Sequence, residues 1–144
     1  MIEEQMTGTT ATRALIEKFF AQLATGDKRG IASCFSDAGE FKPPLSMPFD
    51  SVRGRSEIAQ FLTAAGLSEV FLAGSLNLDV HTIIANGEHG VALATMTAET
   101  QDGRDYTNDY CWHFRCSADG IERVVEYVDT LHASRVLSLG GGSQ

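Results

Sequence analysis

The stretch YTNDYCWHFRCSADGIERVVEYVDT, residues 106–130, decides the fold. Its Asp119-Gly120 pair predicts a tight turn between two antiparallel strands. As a strand, residues 106–114 put aromatic bulk and an amide on one face (Tyr106, Asn108, Tyr110, Trp112, Phe114) and a more polar set on the other (Thr107, Asp109, Cys111, His113). In a sheet with one solvent-exposed face, apolar and polar residues alternate more regularly than they do in residues 106–114. Two interpretations therefore stay open: a strand occluded on both faces beside a pocket, or an ordinary core face backed by a half-exposed one.

Two further turn signals, Asn86-Gly87 and Asp102-Gly103, separate β-rich runs upstream. Together the signals predict strands over residues 76–85, 90–100, 104–116 and 121–129. Since each connection is short, the strands form an antiparallel meander.

The first half of the chain is helical in pattern. Residues 12–25 place an apolar stripe on one side of a helix, and Asp27 is a candidate N-cap for a short second helix that presents Ile31, Cys34 and Phe35. All three prolines lie in residues 40–54 and predict an irregular crossover loop, after which residues 55–66 form a third helix. Helices followed by an antiparallel sheet predict an α+β domain spanning 1–144, with flexible ends at 1–11 and 138–144.

Composition excludes several functions. The 144 residues carry a net charge of −8 with pI ≈ 4.8, which argues against nucleic acid or an anionic membrane as partner. No apolar run approaches the roughly 20 residues of a membrane span. The 3 cysteines and 4 histidines have no metal-ligand spacing, so we expect no metal, and a reduced, cytoplasmic chain.

Four segments resemble the SnoaL-like branch of the NTF2-like superfamily, which includes ketosteroid isomerases and polyketide cyclases: ALIEKFFAQLATGD, IASCFSDAGEF, VRGRSEIAQFL and the closing stretch quoted above. The resemblance covers residues 12–137. It implies an NTF2-like cone in which a strongly curved antiparallel sheet wraps around the helices, encloses an apolar cavity, and forms a homodimer through its outer face.

The resemblance also bears on the chemistry. Ketosteroid isomerases carry two signature aspartates, and the matching positions here are Pro43 and Trp112. Steroid isomerisation of that type is therefore not expected. SnoaL-type cyclases use one aspartate as acid and base without a cofactor, and Asp129 is the best candidate for that role in this sequence.

We therefore expect a small hydrophobic ligand, carbonyl-bearing or cyclic, and a cofactor-free isomerase, cyclase or dehydratase that works by proton transfer. The candidate catalytic residues are Asp129 as acid and base, Tyr110 as a hydrogen-bond donor and His81 as a proton shuttle. The candidate ligand-binding residues are Asn108, Trp112, Tyr127, Phe41 and Phe20.

Plainer alternatives remain for each of these groups. Asp129 is also a good N-cap for the segment TLHASRVL, His81 a packing residue, and Asn108 and Tyr110 a strand-bridging pair. The corresponding alternative function is a non-catalytic binding or dimerisation domain.

Overall fold

The computed structural model describes residues 2–63 and 70–137, with side chains from residue 8 onward. The predicted end of the third helix at Ala65 and Gly66 lies outside these residues, as does the tail predicted to be flexible. The helices are α1 Ile2–Thr25, α2 Lys28–Ala32, α3 Arg55–Thr63 and α4 Thr130–Leu137; the strands are β1 Phe35–Lys42, β2 Val52–Arg53, β3 Asn77–Asn86, β4 His89–Glu99, β5 Asp105–Ser117 and β6 Gly120–Val128.

One sheet contains all six described strands, in the order β2-β1-β6-β5-β4-β3. The antiparallel meander β3 to β6 is confirmed, each strand pairing with the next. Gly87 and Gly103 occupy the predicted turns with φ values of 61° and 85°, which are easily adopted only without a Cβ. The fold class is therefore α+β, as predicted.

The sheet is mixed rather than purely antiparallel, because β1 runs parallel to β6. Neither β1 nor β2 was predicted. Phe35, expected on the second helix, instead begins β1, and the burial of β1 does not alternate, since Phe35 and Ser36 are both buried and Asp37 and Ala38 both exposed. This irregularity hides the strand from a period-two search. It coincides with a register shift between Phe35 and Glu40.

Helix α1 lies across the inner face of the sheet and begins earlier than predicted, at Ile2 rather than residue 12. Hydrogen bonds hold it to the β3–β4 turn: Thr12 Oγ1 donates to the carbonyl oxygen of Gly87 over 2.7 Å, and the Gly87 N–H donates to Thr9 Oγ1 over 2.8 Å. Residues near position 10, predicted to belong to a flexible start, therefore lie within the helix.

The core lies between these helices and the inner sheet face. Ile16 and Phe114 are fully buried there and belong to the main apolar cluster. A smaller cluster surrounds Tyr106 at the other end of β5 and includes Phe71 and Ala133. Tyr110 packs against both clusters, so it marks the junction between them.

Candidate functional site

A hydrogen-bonded chain of three side chains lies on the inner face of β5. The Asn108 amide nitrogen donates to the Tyr106 hydroxyl over 3.0 Å, and the hydroxyls of Tyr106 and Tyr110 lie 2.8 Å apart. The same amide nitrogen donates to the backbone carbonyl of Asp129 over 3.0 Å, which ties β5 to the end of β6. We call these residues the Asn108–Tyr106–Tyr110 chain.

The two tyrosines differ in exposure. Tyr106 is 0% exposed and lies between the rings of Phe71 and His132, with centroids 5.6 and 5.8 Å away. Tyr110 keeps some solvent-accessible surface. Burial raises the pKa of both hydroxyls, so both remain protonated near neutral pH.

An aromatic wall continues from Tyr110. Its ring stacks on Trp112 at a centroid distance of 5.3 Å, and Trp112 in turn contacts Phe20 of α1 at 5.3 Å. The predicted residues Asn108, Tyr110, Trp112 and Phe20 therefore lie in one continuous patch on the inner face.

Glu126 of β6 completes this patch and is not among the residues predicted from the sequence. It pairs with Trp112 across the two strands, and its Oε1 accepts a hydrogen bond from Trp112 Nε1 over 3.0 Å. Burial raises the pKa of this carboxyl, and the Trp112 hydrogen bond opposes the shift only in part. The sequence carries only a partial signal: Glu126 shares its strand face with Val124, but Val125 on the opposite face is buried as well, so the pattern does not say which face is inner.

Asp129 takes the alternative role. Its carboxylate caps α4, because Oδ1 accepts the backbone N–H of His132 over 3.0 Å, and the residue is exposed. Only its backbone carbonyl touches the Asn108–Tyr106–Tyr110 chain. The β6 carboxyl that contacts the patch is that of Glu126, three residues earlier.

Tyr127 and His81 are not brought to the patch. Tyr127 pairs with Cys111 on the outer sheet face and is 58% exposed, since adjacent strand residues point to opposite faces. His81 occupies a register shift in β3, is exposed, and places its Nδ1 3.2 Å from Thr82 Oγ1. Both differ from the expectation that they line the pocket.

Phe41 is buried in the main cluster and contacts Phe61 at 5.8 Å. It therefore packs between β1 and α3, near the start of the crossover loop.

A crevice of about 430 Å³ opens at this loop, lined by Lys42, Pro43, Leu45, Met47, Pro48, Phe49, Asp50 and Ser51. It is not the hollow expected beside Asn108 and Trp112. Met47, however, also packs against the smaller cluster around Tyr106, and Tyr110 packs against the same cluster.

Two absences hold for the described part of the chain. No three His, Cys, Asp or Glu residues there are arranged to hold a metal ion. Within residues 2–63 and 70–137, no helix is long and apolar enough to cross a membrane.

Known structures share this architecture. An NTF2-like protein from Burkholderia xenovorans LB400 superposes with a TM-score of 0.73 at 22% identity, covering 90% of this chain and 97% of that one. A protein with a ketosteroid isomerase-like fold from Catenulispora acidiphila DSM 44928, in complex with trimethylamine, gives 0.72 at 11% identity over 90% and 96%. An LEH-like epoxide hydrolase of M. tuberculosis gives 0.67 at 18% identity over 90% and 91%. At these identities the likeness establishes the fold, an NTF2-like α+β cone, and not the activity.

The comparison with curated proteins found no match. The sequence model of the SnoaL-like domain family, by contrast, matches residues 16–127, from the middle of α1 nearly to the end of β6. That span contains every residue of the inner-face patch. The chain therefore belongs to the SnoaL-like domain family.

Proposed function

We propose that the inner-face patch binds a small, mostly apolar molecule with a carbonyl group and that Glu126 transfers a proton on it without a cofactor. The observation that carries the proposal is the placement of Glu126. A carboxyl whose pKa is raised by burial lies beside a tryptophan donor and a partly accessible tyrosine. Carboxyl groups in such surroundings serve as general acids and bases near neutral pH.

The residues divide the work. The Glu126 carboxylate removes a proton from the carbon beside the carbonyl, and the electron pair moves onto the carbonyl oxygen. The Tyr110 hydroxyl donates a hydrogen bond to that oxygen, and Glu126 then returns the proton to another atom of the same molecule. Trp112 and Phe20 provide apolar walls. This scheme covers isomerisation, cyclisation and dehydration.

The crossover-loop crevice supplies the entrance. It lies against Met47, which packs on the Tyr106 cluster, and it exposes Leu45 and Phe49 at 91% and 43%. Related folds hold small molecules, such as the trimethylamine complex described above. A cytoplasmic location remains part of the proposal, in keeping with the three free thiols Cys34, Cys111 and Cys116.

Deuterium exchange tests the proposal without knowledge of the natural substrate. Aromatic ketones such as 1-indanone are incubated with the protein in D₂O, and loss of the α-proton signal is followed by NMR. We expect the wild-type protein to accelerate exchange and Glu126→Gln to lose that acceleration about 10²- to 10⁴-fold, the usual range for a general base. Asp129→Asn, which keeps the helix cap, should exchange like wild type. Loss in Asp129→Asn with full activity in Glu126→Gln would restore the original assignment.

A second candidate function, a non-catalytic binding and dimerisation domain, is favoured by the outer sheet face. Five residues form an outer apolar strip across β3 to β6: Ile84, Val91, Leu93, Cys111 and Tyr127. Ile84 and Tyr127 are each 58% exposed. Exposed apolar surface of this kind marks interaction sites.

The charges beside the strip favour a second copy of this chain as the partner. Arg115 and Arg123 pair at one end of the face, and Asp79 and Asp109 flank Thr95 at the other. A two-fold axis that reverses the strand direction would place the basic end of one protomer on the acidic end of its partner. We therefore include a homodimer through this face in the proposal.

A further inference from the structure

The orientation of the Asn108 amide is determined by its backbone contacts. Its Oδ1 accepts the N–H of Asp109 over 2.9 Å. Its nitrogen faces two oxygens, the Asp129 carbonyl and the Tyr106 hydroxyl. The amide therefore presents a donor, and only a donor, to Tyr106.

This orientation determines where the Tyr106 hydrogen points. Tyr106 is fully buried, and its hydroxyl has two hydrogen-bond partners among the described residues, Asn108 Nδ2 and Tyr110 Oη. An amide NH₂ cannot accept, so the Tyr106 hydrogen must be donated to Tyr110. A buried hydroxyl hydrogen directed elsewhere would lack an acceptor, at a cost of about 1–3 kcal/mol.

The same reasoning then applies to Tyr110. Because its oxygen accepts from Tyr106, its own hydrogen cannot point back along that 2.8 Å contact. Among the described residues, the Tyr110 hydroxyl makes no hydrogen bond other than the one with Tyr106. Tyr110 is also the member of the chain that keeps accessible surface and lies beside Trp112.

We infer that Asn108 acts as a positioning residue that orders the protons of the Asn108–Tyr106–Tyr110 chain, so that Tyr110 presents a hydrogen rather than a lone pair to the ligand. The inference rests on the proposed binding site and gives the physical reason for its ligand class. The site selects molecules with an acceptor oxygen, such as a ketone, at the position of the Tyr110 hydroxyl, and rejects molecules that offer only a donor or a hydrocarbon edge there. Each bond in the chain polarises the next, which strengthens the terminal donor.

Neutron diffraction from a deuterium-exchanged crystal tests the proton order without any ligand. We expect the Tyr106 deuteron on the line to the Tyr110 oxygen and the Tyr110 deuteron directed away from Tyr106. A Tyr110 deuteron on the line to Tyr106 overturns the inference, whatever the ligand experiments show.

A matched ligand pair tests the consequence. 1-Indanone and indane share a ring system and differ in the carbonyl oxygen. Wild type should bind 1-indanone about 3- to 10-fold more tightly than indane, because one hydrogen bond between Tyr110 and the ketone oxygen adds about that much affinity. The carbonyl stretch of the bound ketone should shift to lower frequency than in buffer. Tyr110→Phe should lose both the preference and the shift.

The informative variant is Asn108→Asp, because it keeps the shape and exchanges the donor to Tyr106 for an acceptor, although it also loses the hydrogen bond to the Asp129 carbonyl. Tyr106 then donates to residue 108, Tyr110 donates to Tyr106, and the chain reverses. We expect the preference for the ketone to disappear and the carbonyl shift to vanish, although the Tyr110 hydroxyl is still present. Asn77→Asp, the same change at an exposed residue of β3, is the control and should behave like wild type.

The outcomes separate the two proposals. Equal binding of ketone and hydrocarbon by wild type overturns the selection of an acceptor oxygen by Tyr110 but leaves the binding site standing. If wild type binds neither compound, the proposed site is wrong, and the neutron map alone then decides the proton order. A folded Asn108→Asp protein that keeps the wild-type preference and frequency shift overturns the role of Asn108.

Discussion

Two carboxyl groups near the end of β6, those of Glu126 and Asp129, have different surroundings. Glu126 faces the core beside Trp112, where loss of hydration favours its neutral form. Asp129 is exposed and satisfied by the backbone of α4. The acid suited to proton transfer is therefore distinguished by where it points, not by its residue type.

Glu126→Gln should make the protein more stable at neutral pH and leave its stability unchanged in acid. The folded-state pKa of Glu126 lies above its unfolded value of about 4.3, so stability is fully present below that value and is lost as pH rises through the folded pKa. Glutamine keeps an acceptor for Trp112 without a charge to bury. Urea unfolding at pH 4 and pH 8 measures the difference.

Glu122→Gln is the matched control, and we expect its change in stability at pH 8 to have the opposite sign. Hydrogen bonds from Ser117 and Ser36 lower the pKa of Glu122, so its contribution is present above the unfolded pKa and is lost as pH falls through the folded one. This variant should be less stable than wild type at pH 8. If the two variants shift stability in the same direction at pH 8, the burial argument for Glu126 is wrong.

At the level of elements, Asp129 matters as the start of α4. Asp129→Ala should lower the free energy of unfolding by about 1 kcal/mol, since the His132 N–H loses its acceptor. Asp129→Asn should stay within a few tenths of wild type, because asparagine caps equally well. Chemical denaturation of both variants measures this; equal losses would mean that the charge, not the cap, stabilises the helix end.

Close packing of α1 on β4 depends on Gly90. A Cβ built on Gly90 would clash with Ile16 Cδ1, and Ile16 is fully buried. Gly90→Ala should therefore destabilise the fold by about 1–3 kcal/mol through overpacking. The measurement is thermal or urea unfolding.

Ile16→Val removes the clashing methyl and provides the second arm of a double-mutant cycle. By itself it should cost about 0.5–1.5 kcal/mol. Combined with Gly90→Ala it should cost less than the sum of the two single changes, because the added Cβ fills the vacated space. Additive costs would show that the helix shifts rather than clashes.

At the level of the whole molecule, the outer apolar strip predicts a dimer in solution. Ile84→Lys places a charge in the strip and should raise the dimer dissociation constant about 10-fold or more. Leu131→Lys is the control, since Leu131 on α4 is 59% exposed, almost the same as Ile84, but lies outside the strip. Sedimentation velocity distinguishes the two, and a monomeric wild-type protein would refute the interface.

The sequence alone determined the meander. Predicted strands at 76–85, 90–100, 104–116 and 121–129 became 77–86, 89–99, 105–117 and 120–128. Glycine turns and alternating side chains are local signals, and both are complete within each hairpin. It also placed Asn108, Tyr110 and Trp112 on one strand face, because an amide and two aromatic rings alternate within one short segment.

Only the tertiary structure decided the remainder. The parallel pairing of β1 with β6 joins residues more than 80 positions apart, and no local pattern encodes it. Assigning Glu126 to the inner face and Tyr127 to the outer one depends on the register between β5 and β6, since a shift of one residue exchanges the two faces. The proton order of the Asn108–Tyr106–Tyr110 chain depends in turn on that register, because the end of β6 supplies the carbonyl that Asn108 also contacts.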